Sequence, residues 1–294
     1  MQSDEISQVQ RERLAHLELR LYFTGELRRS DIENRFGVKP AAASRDISLY
    51  KEMAPYNLHY DLVQRVYVAT PDFKPVFEMR PDRVLSWLAH GFGDGLELGL
   101  KQHAVFESPP NLFVPNLETL AALTRAICAR KPISMNYSSA SSGVSKREVV
   151  PVALADNGLR LHLRAFDRKK QTFGDFVLTR IDHVVALDSK SQDHEQLAAD
   201  DQWTRIVELQ LAAHPNMQWP DAAELDYGMI DGVLKIKTRA AMAGYVLRRW
   251  SVDSSTNHSL DASSHHLWLR NPKALYGVES AVLAPGFVLE GDGE

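Results

Sequence analysis

Five polar or basic side chains fall on a series of predicted short strands in the middle of the chain. They are Tyr137, Arg147, His162, Arg164 and Arg180. Side chains alternate across a strand, so His162 and Arg164 are expected on one face. Three guanidinium groups on one wall repel each other unless an anion lies among them, and each can hold a phosphate or carboxylate through two hydrogen bonds. These residues could therefore form an anion-binding site.

Other interpretations of these residues remain open. Each arginine could instead pair with a nearby acid, such as Asp167, Asp175 or Asp182. His162 could act as a general base in an enzyme for a phosphorylated ligand, or the basic strands could add non-specific affinity for nucleic acid. The sequence contains no P-loop, nucleophile motif or closely spaced set of metal ligands. We therefore expect no enzymatic activity, no cofactor and no metal.

A second set of candidate residues lies on a short predicted helix near the N-terminus. Ala43, Ile47 and Tyr50 share one face, which we expect to be buried. The opposite face carries small residues and one arginine, so it can approach a major groove closely, where arginine can donate two hydrogen bonds to guanine. The predicted DNA-contacting residues are Lys39, Ala41, Ser44, Arg45, Ser48, Lys51 and Arg65.

The elements around this helix follow the order of a helix-turn-helix. Arg11–Phe23 has the leucine spacing of an amphipathic helix. Ser30 and Glu33 have the spacing of a capping box and predict the start of a second helix. Gly37 permits the positive φ of a sharp turn, and Pro40 suits the first position of the third helix.

A predicted hairpin follows the three helices and suggests a wing. Leu58–Tyr60 and Val66–Ala69 alternate as strands do, and Arg65 lies at the tip between them. In this position Arg65 could contact a phosphate. The alternative for both Arg65 and Arg45 is that they are ordinary solvated arginines.

The middle of the chain predicts a connector, a helix and a small barrel. Phe73–Pro115 is rich in proline, with a short helix expected from Pro81, and Leu117–Arg130 is clearly amphipathic. Ser138–Ser145 is expected to be flexible, and Asn157-Gly158 is a hairpin signal. Many short strands in so few residues indicate a barrel. The predicted strands are Ile133–Tyr137, Lys146–Val150, Leu159–Phe166 and Phe173–Leu178.

The last third predicts a small α+β domain. A polar linker over Ser189–Asp201 precedes it. Strands and helices alternate afterwards, which is typical of this fold class. The predicted elements are the strands Trp203–Ala212, Val233–Thr238 and His266–Leu269 and the helices Ala222–Met229 and Ala240–Trp250.

Length and composition limit the classes of protein that fit these interpretations. The chain has 294 residues, enough for two or three domains, and its one cysteine, Cys128, cannot form an internal disulfide. The sequence shows no apolar run of membrane-spanning length, so we expect a cytoplasmic protein. Residues 1–182 carry 25 Lys and Arg against 22 Asp and Glu, whereas residues 183–294 carry 9 against 16. Because DNA phosphates repel acidic surfaces, we expect the last third to lie away from DNA.

The run IENRFGVKPAAASRDISLY, from Ile32 to Tyr50, resembles the helix-turn-helix of bacterial winged-helix repressors of the DeoR type. The similarity lies in the R-F-G-V turn and in S-R-D-I of the following helix. One departure is Lys39-Pro40, where such repressors usually have serine or threonine.

The strands resemble a WYL domain, a small SH3-like barrel of bacterial regulators. The matching segments are Ile133–Tyr137, Ser145–Arg147 and Phe176–Ile181. Leu161 and His162 stand where the signature has tryptophan and tyrosine, which puts ligand selectivity in question. The resemblance implies the ligand-contacting residues Tyr137, Ser145, Arg147, His162, Arg164 and Arg180.

The whole chain resembles the BrxR/CapW family. The run R-L-Y-F-T-G-E-L, which starts at Arg20, also resembles that family. The resemblance implies a homodimeric repressor of a bacterial anti-phage defence operon. Its partners would be an inverted-repeat DNA operator and an anionic nucleotide or nucleic-acid effector. The expected fold is α+β multidomain: a winged helix-turn-helix (1–72), a connector (73–116), a WYL barrel (117–190) and a C-terminal α+β dimerisation domain (202–290).

Overall fold

The structure, a computed structural model, describes residues 6–79, Val84 and 115–288. It contains two compact units. The first combines Met1–Pro151 with Leu178–Ser189, and the second combines Val152–Val177 with Lys190–Glu294. The helix expected from Pro81 lies outside the described residues. Among the residues described, no helix is both long and apolar enough to span a membrane.

The first unit opens with three helices, as expected. Ser7 caps the first through its side chain, which accepts from the Gln10 amide, and Gly25 ends it with φ 85°. Gly37 ends the second with φ 62°, which provides the predicted sharp turn. The elements are α1 (Gln8–Thr24), β1 (Glu26–Leu27), α2 (Arg29–Phe36) and α3 (Pro40–Met53).

Helix α2 begins earlier than the sequence suggested. Its N-cap position is Arg28, and the Asp31 carboxylate accepts from the Arg28 backbone amide at 2.7 Å. Ser30 therefore lies within the first turn, and the predicted Ser30–Glu33 capping box is wrong. Glu33 instead pairs with Arg29, one helical turn earlier, at 2.7 Å.

The three helices enclose one apolar core. The faces predicted from helical spacing are confirmed, because their leucine, isoleucine, alanine and tyrosine side chains are almost completely buried. Burial of side chains of this size stabilises a fold by about 1.5–3 kcal/mol each. The predicted core residues are Leu14, Leu17, Leu21, Ala43, Ile47 and Tyr50.

The wing is a hairpin of β2 (Leu58–Asp61) and β3 (Val66–Ala69), as predicted. The sequence did not indicate that β1 would join it. Strand β1 pairs with β3 through Glu26 opposite Val68, which gives the order β1-β3-β2. The wing is therefore attached to the end of α1 by hydrogen bonds.

Helix α4 (Leu117–Ala129) precedes an antiparallel five-stranded sheet with the order β7-β6-β5-β4-β8. The stretch expected to be flexible is a hairpin, since Ser139 pairs with Gly143. The predicted turn at Asn157-Gly158 is confirmed, with Gly158 at φ 80°. The strands are β4 (Ile133–Ser139), β5 (Gly143–Asp156), β6 (Leu161–Asp167), β7 (Thr172–Val177) and β8 (Ile181–Ala186).

The segment expected to be a polar linker is packed into the second unit. It forms two short 3-10 helices, Asp193–Glu195 and Leu197–Ala199. Glu195 is buried and accepts two hydrogen bonds from Arg168, at 2.7 and 2.9 Å. An ion pair of this geometry holds the segment in place.

The end of the chain forms the expected α+β domain, with a sheet in the order β10-β9-β12-β11. Trp203 lies in helix α5 rather than in a strand, because the Asp200 carboxylate caps that helix. A side chain at Gly244 would collide with the Ser280 carbonyl. The elements are α5 (Asp201–Thr204), β9 (Ile206–Ala213), α6 (Pro220–Asp226), β10 (Leu234–Arg239), α7 (Ala240–Arg249), β11 (Val252–Asp253) and β12 (Leu267–Leu269).

Candidate nucleic-acid interface and effector site

The predicted reading face of α3 is open to solvent. Arg45 is exposed, and its guanidinium forms no hydrogen bond or ion pair with any residue that the structure describes. Ser44 is half-buried at the side of this face. Small exposed neighbours leave the helix backbone accessible to a groove. The exposed members of the predicted set are Lys39, Ala41, Arg45, Ser48, Lys51 and, at the wing tip, Arg65.

A buried ion pair fixes α3 against α1. The Asp46 carboxylate is almost completely buried and accepts from Arg13 Nε at 2.6 Å and Nη2 at 3.2 Å. Gln10 Nε2 donates to the same carboxylate at 3.0 Å. The pKa of the Arg13 guanidinium is raised by its hydrogen bond to Asp46. Sequence reasoning missed this role, although Asp46 lies beside Ile47 on the predicted buried face.

A second buried network fixes α3 one turn further along, near its C-terminal end. The Tyr50 hydroxyl donates to Glu18 Oε2 at 2.8 Å and accepts from Asn57 Nδ2 at 2.9 Å. Glu18 also accepts from the backbone amides of Val76 and Phe77 at 2.8 Å each. Burial raises the pKa of Glu18, although these hydrogen bonds oppose the shift. The network therefore ties α3 to α1 and to the segment that follows the wing.

Within the first unit, Arg125 joins α4 to α1. Its Nη1 donates to the Tyr22 carbonyl at 2.6 Å, and its guanidinium lies 5.5 Å from the centre of the Tyr22 ring. Burial lowers the pKa of Arg125. A carbonyl near the C-terminal end of a helix carries partial negative charge, so it is a favourable partner for a cation.

Four of the predicted effector residues lie in the first unit. Tyr137 pairs with Ser145 on one side and with Ile181 on the other, and Arg180 directly precedes Ile181. Arg147 Nε donates to Ser145 Oγ at 3.1 Å. Tyr137, Ser145, Arg147 and Arg180 are all half-buried, so they remain partly accessible. The strand register therefore places Tyr137 beside Ser145, which a hydrogen bond joins to Arg147, and Arg180 ends the 3-10 helix Leu178–Arg180 directly before β8.

Arg164 lies in the second unit, and its guanidinium group already pairs with two carboxylates. It is almost completely buried, and its Nε and Nη2 donate to Asp200 at 2.7 and 2.9 Å. Its Nη1 donates to Asp175 at 3.2 Å. Burial lowers the pKa of Arg164, but Asp200 and Asp175 outweigh that effect and raise it. For this arginine, the alternative of pairing with local acids describes the geometry.

His162 is also buried in the second unit, with 5% of its surface exposed. Its ring lies 5.2 Å from that of Tyr245, whose hydroxyl donates to Asp175 at 3.1 Å. The Nδ1 atom of His162 has no hydrogen-bond partner within the described part of the chain. Burial lowers the pKa of His162, so the neutral imidazole is favoured.

Over the same described residues, no group of three or more histidine, cysteine, aspartate or glutamate side chains could hold a metal ion. The structure therefore has an exposed face on α3 that carries Arg45 and, separately, a set of half-buried residues on and beside strands β4, β5 and β8. Together with the α+β domain at the end of the chain, these features follow the order of parts that the sequence predicts.

Comparison with known proteins places the chain in a particular family. Three family models match in succession: the BrxR transcriptional regulator winged helix-turn-helix domain over residues 9–90, the WYL domain over 118–186, and the BrxR transcriptional regulator C-terminal dimerization domain over 206–275. These matches confirm the α+β multidomain fold class and the order of its three parts.

Curated relatives named DNA-binding transcriptional repressor CapW match over most of their length. The protein from Stenotrophomonas maltophilia is 32% identical over 273 residues, covering 90% of each chain. One from Escherichia coli (strain KTE188) is 30% identical over 283 residues, covering 92% of this chain and 91% of that protein. The chain belongs to the CapW/BrxR family of transcriptional repressors, whose members are regulators rather than enzymes.

Among solved structures, the proteasome accessory factor B/C (PafBC) of Arthrobacter aurescens is 15% identical with a TM-score of 0.25. The match covers 93% of this chain and about half, 48%, of that chain.

Proposed function

We propose that this protein is a cytoplasmic, homodimeric repressor that binds an inverted-repeat DNA operator through helix α3. The observation that carries the proposal is the exposed face of Arg45 on a helix held at its middle and near its C-terminal end by buried polar networks. A fixed helix with an unengaged arginine suits bidentate recognition of guanine. The names of the CapW relatives support repression as the outcome of binding.

Dimerisation is assigned to the C-terminal domain. The family match over residues 206–275 supports this part of the proposal. Two protomers would place their α3 helices in major grooves about one helical turn, or a multiple of it, apart. The acidic last third of the chain would lie away from the DNA phosphates.

The effector site is assigned to the half-buried set Tyr137, Ser145, Arg147 and Arg180. Two guanidinium groups suit phosphate, so the proposed effector is an anionic nucleotide or a nucleic-acid fragment. Arg164 is left out because its charge is already neutralised by Asp200 and Asp175. His162 is left out because it is buried and lies in the second unit.

The proposed regulatory target is a bacterial anti-phage defence operon. An effector can release the operator only if it binds one conformation of the repressor better than the other. We propose that effector binding favours a conformation in which the two α3 helices no longer match the half-site spacing.

Footprinting upstream of the protein's own gene tests the proposal. Purified protein at near-physiological salt should protect an inverted repeat. Arg45→Ala should weaken operator binding by about 1–3 kcal/mol without changing stability. Arg147→Ala and Arg180→Ala should keep the footprint but remove its response to a panel of nucleotides and oligonucleotides.

The variants of the proposed operator and effector sites should have different effects. If the Arg147 or Arg180 variants lose DNA binding as fully as Arg45→Ala, the proposed division between operator and effector sites is wrong. Glu52→Gln, an exposed change on the same helix as Arg45, is the control. Absence of any protected site at neighbouring promoters would contradict the repressor assignment.

A further inference from the structure

The C-terminal sheet has an outer face, formed by the outward side chains of β9, β10, β12 and the residue after β12. Val207, Leu209 and Leu211 of β9 pack into the apolar core, so Glu208 and Gln210 lie on the opposite, outer side. Gln210 Nε2 donates to Glu208 Oε1 at 3.4 Å, which agrees with this alternation. Every described side chain on the outer face is at least partly accessible to solvent.

The outer face concentrates the basic residues of a part of the chain that is acidic as a whole. Residues 183–294 carry 9 Lys and Arg against 16 Asp and Glu. Four of these basic residues and one of the acids, Glu208, lie on the outer face, which is therefore positively charged. One of the four directly follows β12, and its backbone amide donates to the Gln210 carbonyl of β9. The four basic residues are Lys235, Lys237, Arg239 and Arg270.

Most of this positive charge is not neutralised within the chain. Lys235, Lys237 and Arg270 are exposed, and their side chains form no hydrogen bond or ion pair with any residue in the described part of the chain. The Nη1 atom of Arg239 donates to the Trp203 carbonyl at 2.6 Å, and its guanidinium lies 5.0 Å from the centre of the Trp203 ring. Those contacts orient Arg239 without removing its charge. The outer face can therefore attract an anionic partner.

The charge also decides against a second copy of the chain on this face. A two-fold contact places the same surface patch of both protomers against each other. Lys235 and Lys237 would then face like charges, which costs free energy. A partner that carries negative charge fits the outer face better.

The spacing of the charges and a neighbouring aromatic ring fit a single-stranded nucleic acid. Successive outward side chains of β10 lie about 6.8 Å apart along the strand, close to the separation of phosphates in an extended single strand. Trp268, two residues before Arg270, lies on the same face opposite Ala212 and is partly exposed. Its Nε1 donates to the Ser255 carbonyl at 2.9 Å, which fixes the ring. Aromatic rings beside a basic track bind single strands by stacking on their bases.

We propose that the outer face of the C-terminal sheet binds a single-stranded nucleic acid. Lys235, Lys237 and Arg270 contact its phosphates, and Trp268 stacks on one of its bases. The surface lies wholly in the second unit and goes beyond the operator and effector sites proposed above. Contacts with phosphates and base faces carry little sequence information, so binding should tolerate changes of sequence.

Fluorescence anisotropy tests the phosphate contacts, with the full-length protein and a labelled single strand of mixed sequence and about 16 nucleotides. Lys235→Gln with Lys237→Gln should bind this strand roughly tenfold more weakly than the wild type. The double variant should also reduce the slope of log affinity against log salt concentration by about 1.4, because each phosphate contact of a single strand contributes about 0.7. Lys169→Gln with Lys170→Gln is the matched control, because it removes the same charge from two exposed lysines at the β6–β7 turn of the same unit.

Two altered strands test the stacking and identify the kind of nucleic acid. An abasic strand of the same length keeps the phosphates, and the wild type should bind it roughly tenfold more weakly because stacking is lost. Trp268→Leu, with its folding checked by thermal denaturation, should bind the intact and the abasic strand equally. Binding of either a DNA strand or an RNA strand of the same sequence supports the proposal, and the tighter of the two identifies the natural ligand.

Several outcomes would overturn the proposal. If the Lys235 and Lys237 double variant binds the strand as its control does, the outer face is not the binding site. If Arg147→Ala with Arg180→Ala loses the strand while the lysine double variant keeps it, the strand occupies the proposed effector site instead. Polyglutamate that displaces the labelled strand as well as the unlabelled strand does would assign the face to an acidic protein.

The lysine double variant also separates this inference from dimerisation and from the proposed function. Analytical ultracentrifugation should show the same oligomeric state as for the wild type, and a change of state would mean that the outer face contacts the partner protomer. The double variant should keep the operator footprint that Arg45→Ala weakens. Loss of the footprint in the double variant would assign the face to the operator rather than to a single strand, whereas an Arg45→Ala protein with a normal footprint would contradict only operator reading by α3.

Discussion

His162 and Arg164 show how the surroundings of a residue decide its role. Strand alternation correctly places them on one face of β6, but all seven residues of that strand are buried. Alternation predicts which residues share a face, and it does not predict whether that face is covered. Two acids cover Arg164: Asp175 on β7, which the sequence suggested as a partner, and Asp200 before α5, which lies 36 residues away and was not predicted. The sequence pattern therefore predicts that His162 and Arg164 share a face, but it does not predict that this face is covered.

The buried neutral His162 makes stability depend on pH. Its pKa is lowered in the folded state by burial, whereas the unfolded chain has an ordinary histidine pKa of about 6.5. Between these two values the unfolded state binds more protons, so the free energy of unfolding falls as pH drops below about 6.5. We expect His162→Gln to reduce this slope, measured by urea denaturation between pH 5.5 and 7.5.

The control for His162→Gln is a histidine variant in the wing. His59→Gln changes an exposed histidine on β2 and should keep the pH profile of the wild type. Identical slopes for the wild type and His162→Gln would show that His162 does not contribute to the pH dependence.

At the scale of the element, α3 is positioned by polar contacts as much as by its apolar face. The Arg13–Asp46 pair fixes its N-terminal half against α1. We expect Asp46→Asn to lower the free energy of unfolding by about 1–3 kcal/mol, because an amide nitrogen would face the donors of Arg13. Operator affinity should fall as well, since the helix is then held less firmly.

Chemical denaturation measures the change in stability, and the operator footprint titrated with protein measures the change in affinity. Glu52→Gln, on the exposed side of the same helix, should change stability by less than about 0.5 kcal/mol. An Asp46→Asn protein as stable as the wild type would mean that apolar packing alone positions α3.

Local rules predicted most elements but missed those that depend on tertiary contacts. The apolar spacing of α1 and α3 was sufficient, because one face of each helix is buried. The start of α2 was displaced, since the chain offers two acids at suitable spacing and Asp31 rather than Glu33 does the capping. The polar composition of 189–201 predicted a linker, although ion pairs with the buried Arg164 and the half-buried Arg168 fix this segment.

At the scale of the molecule, the C-terminal domain carries apolar residues that are exposed in the single chain and that a dimer contact would bury. Leu225 and Ile230, on α6 and the loop after it, are 84% and 77% exposed. We expect the wild type to be a dimer in analytical ultracentrifugation and Leu225→Asp with Ile230→Asp to be a monomer. Operator affinity should then fall, because each half-site is bound separately.

Val185→Asp is the control for the dimer, because it places an aspartate at an exposed valine of β8, outside the C-terminal domain. Its oligomeric state should match that of the wild type. A double variant that remains dimeric would place the interface on another surface of the protein.

The discontinuous first unit has a consequence for synthesis on the ribosome. Strand β4 takes β8 as a neighbour, and β8 is made only after β6 and β7. The apolar core of the winged helix, by contrast, is complete within the first 77 residues. Because domains fold as units while the chain emerges, the winged helix can fold early and the sheet must wait. A chain that ended before β8 would therefore carry a folded DNA-binding module joined to an unfinished sheet.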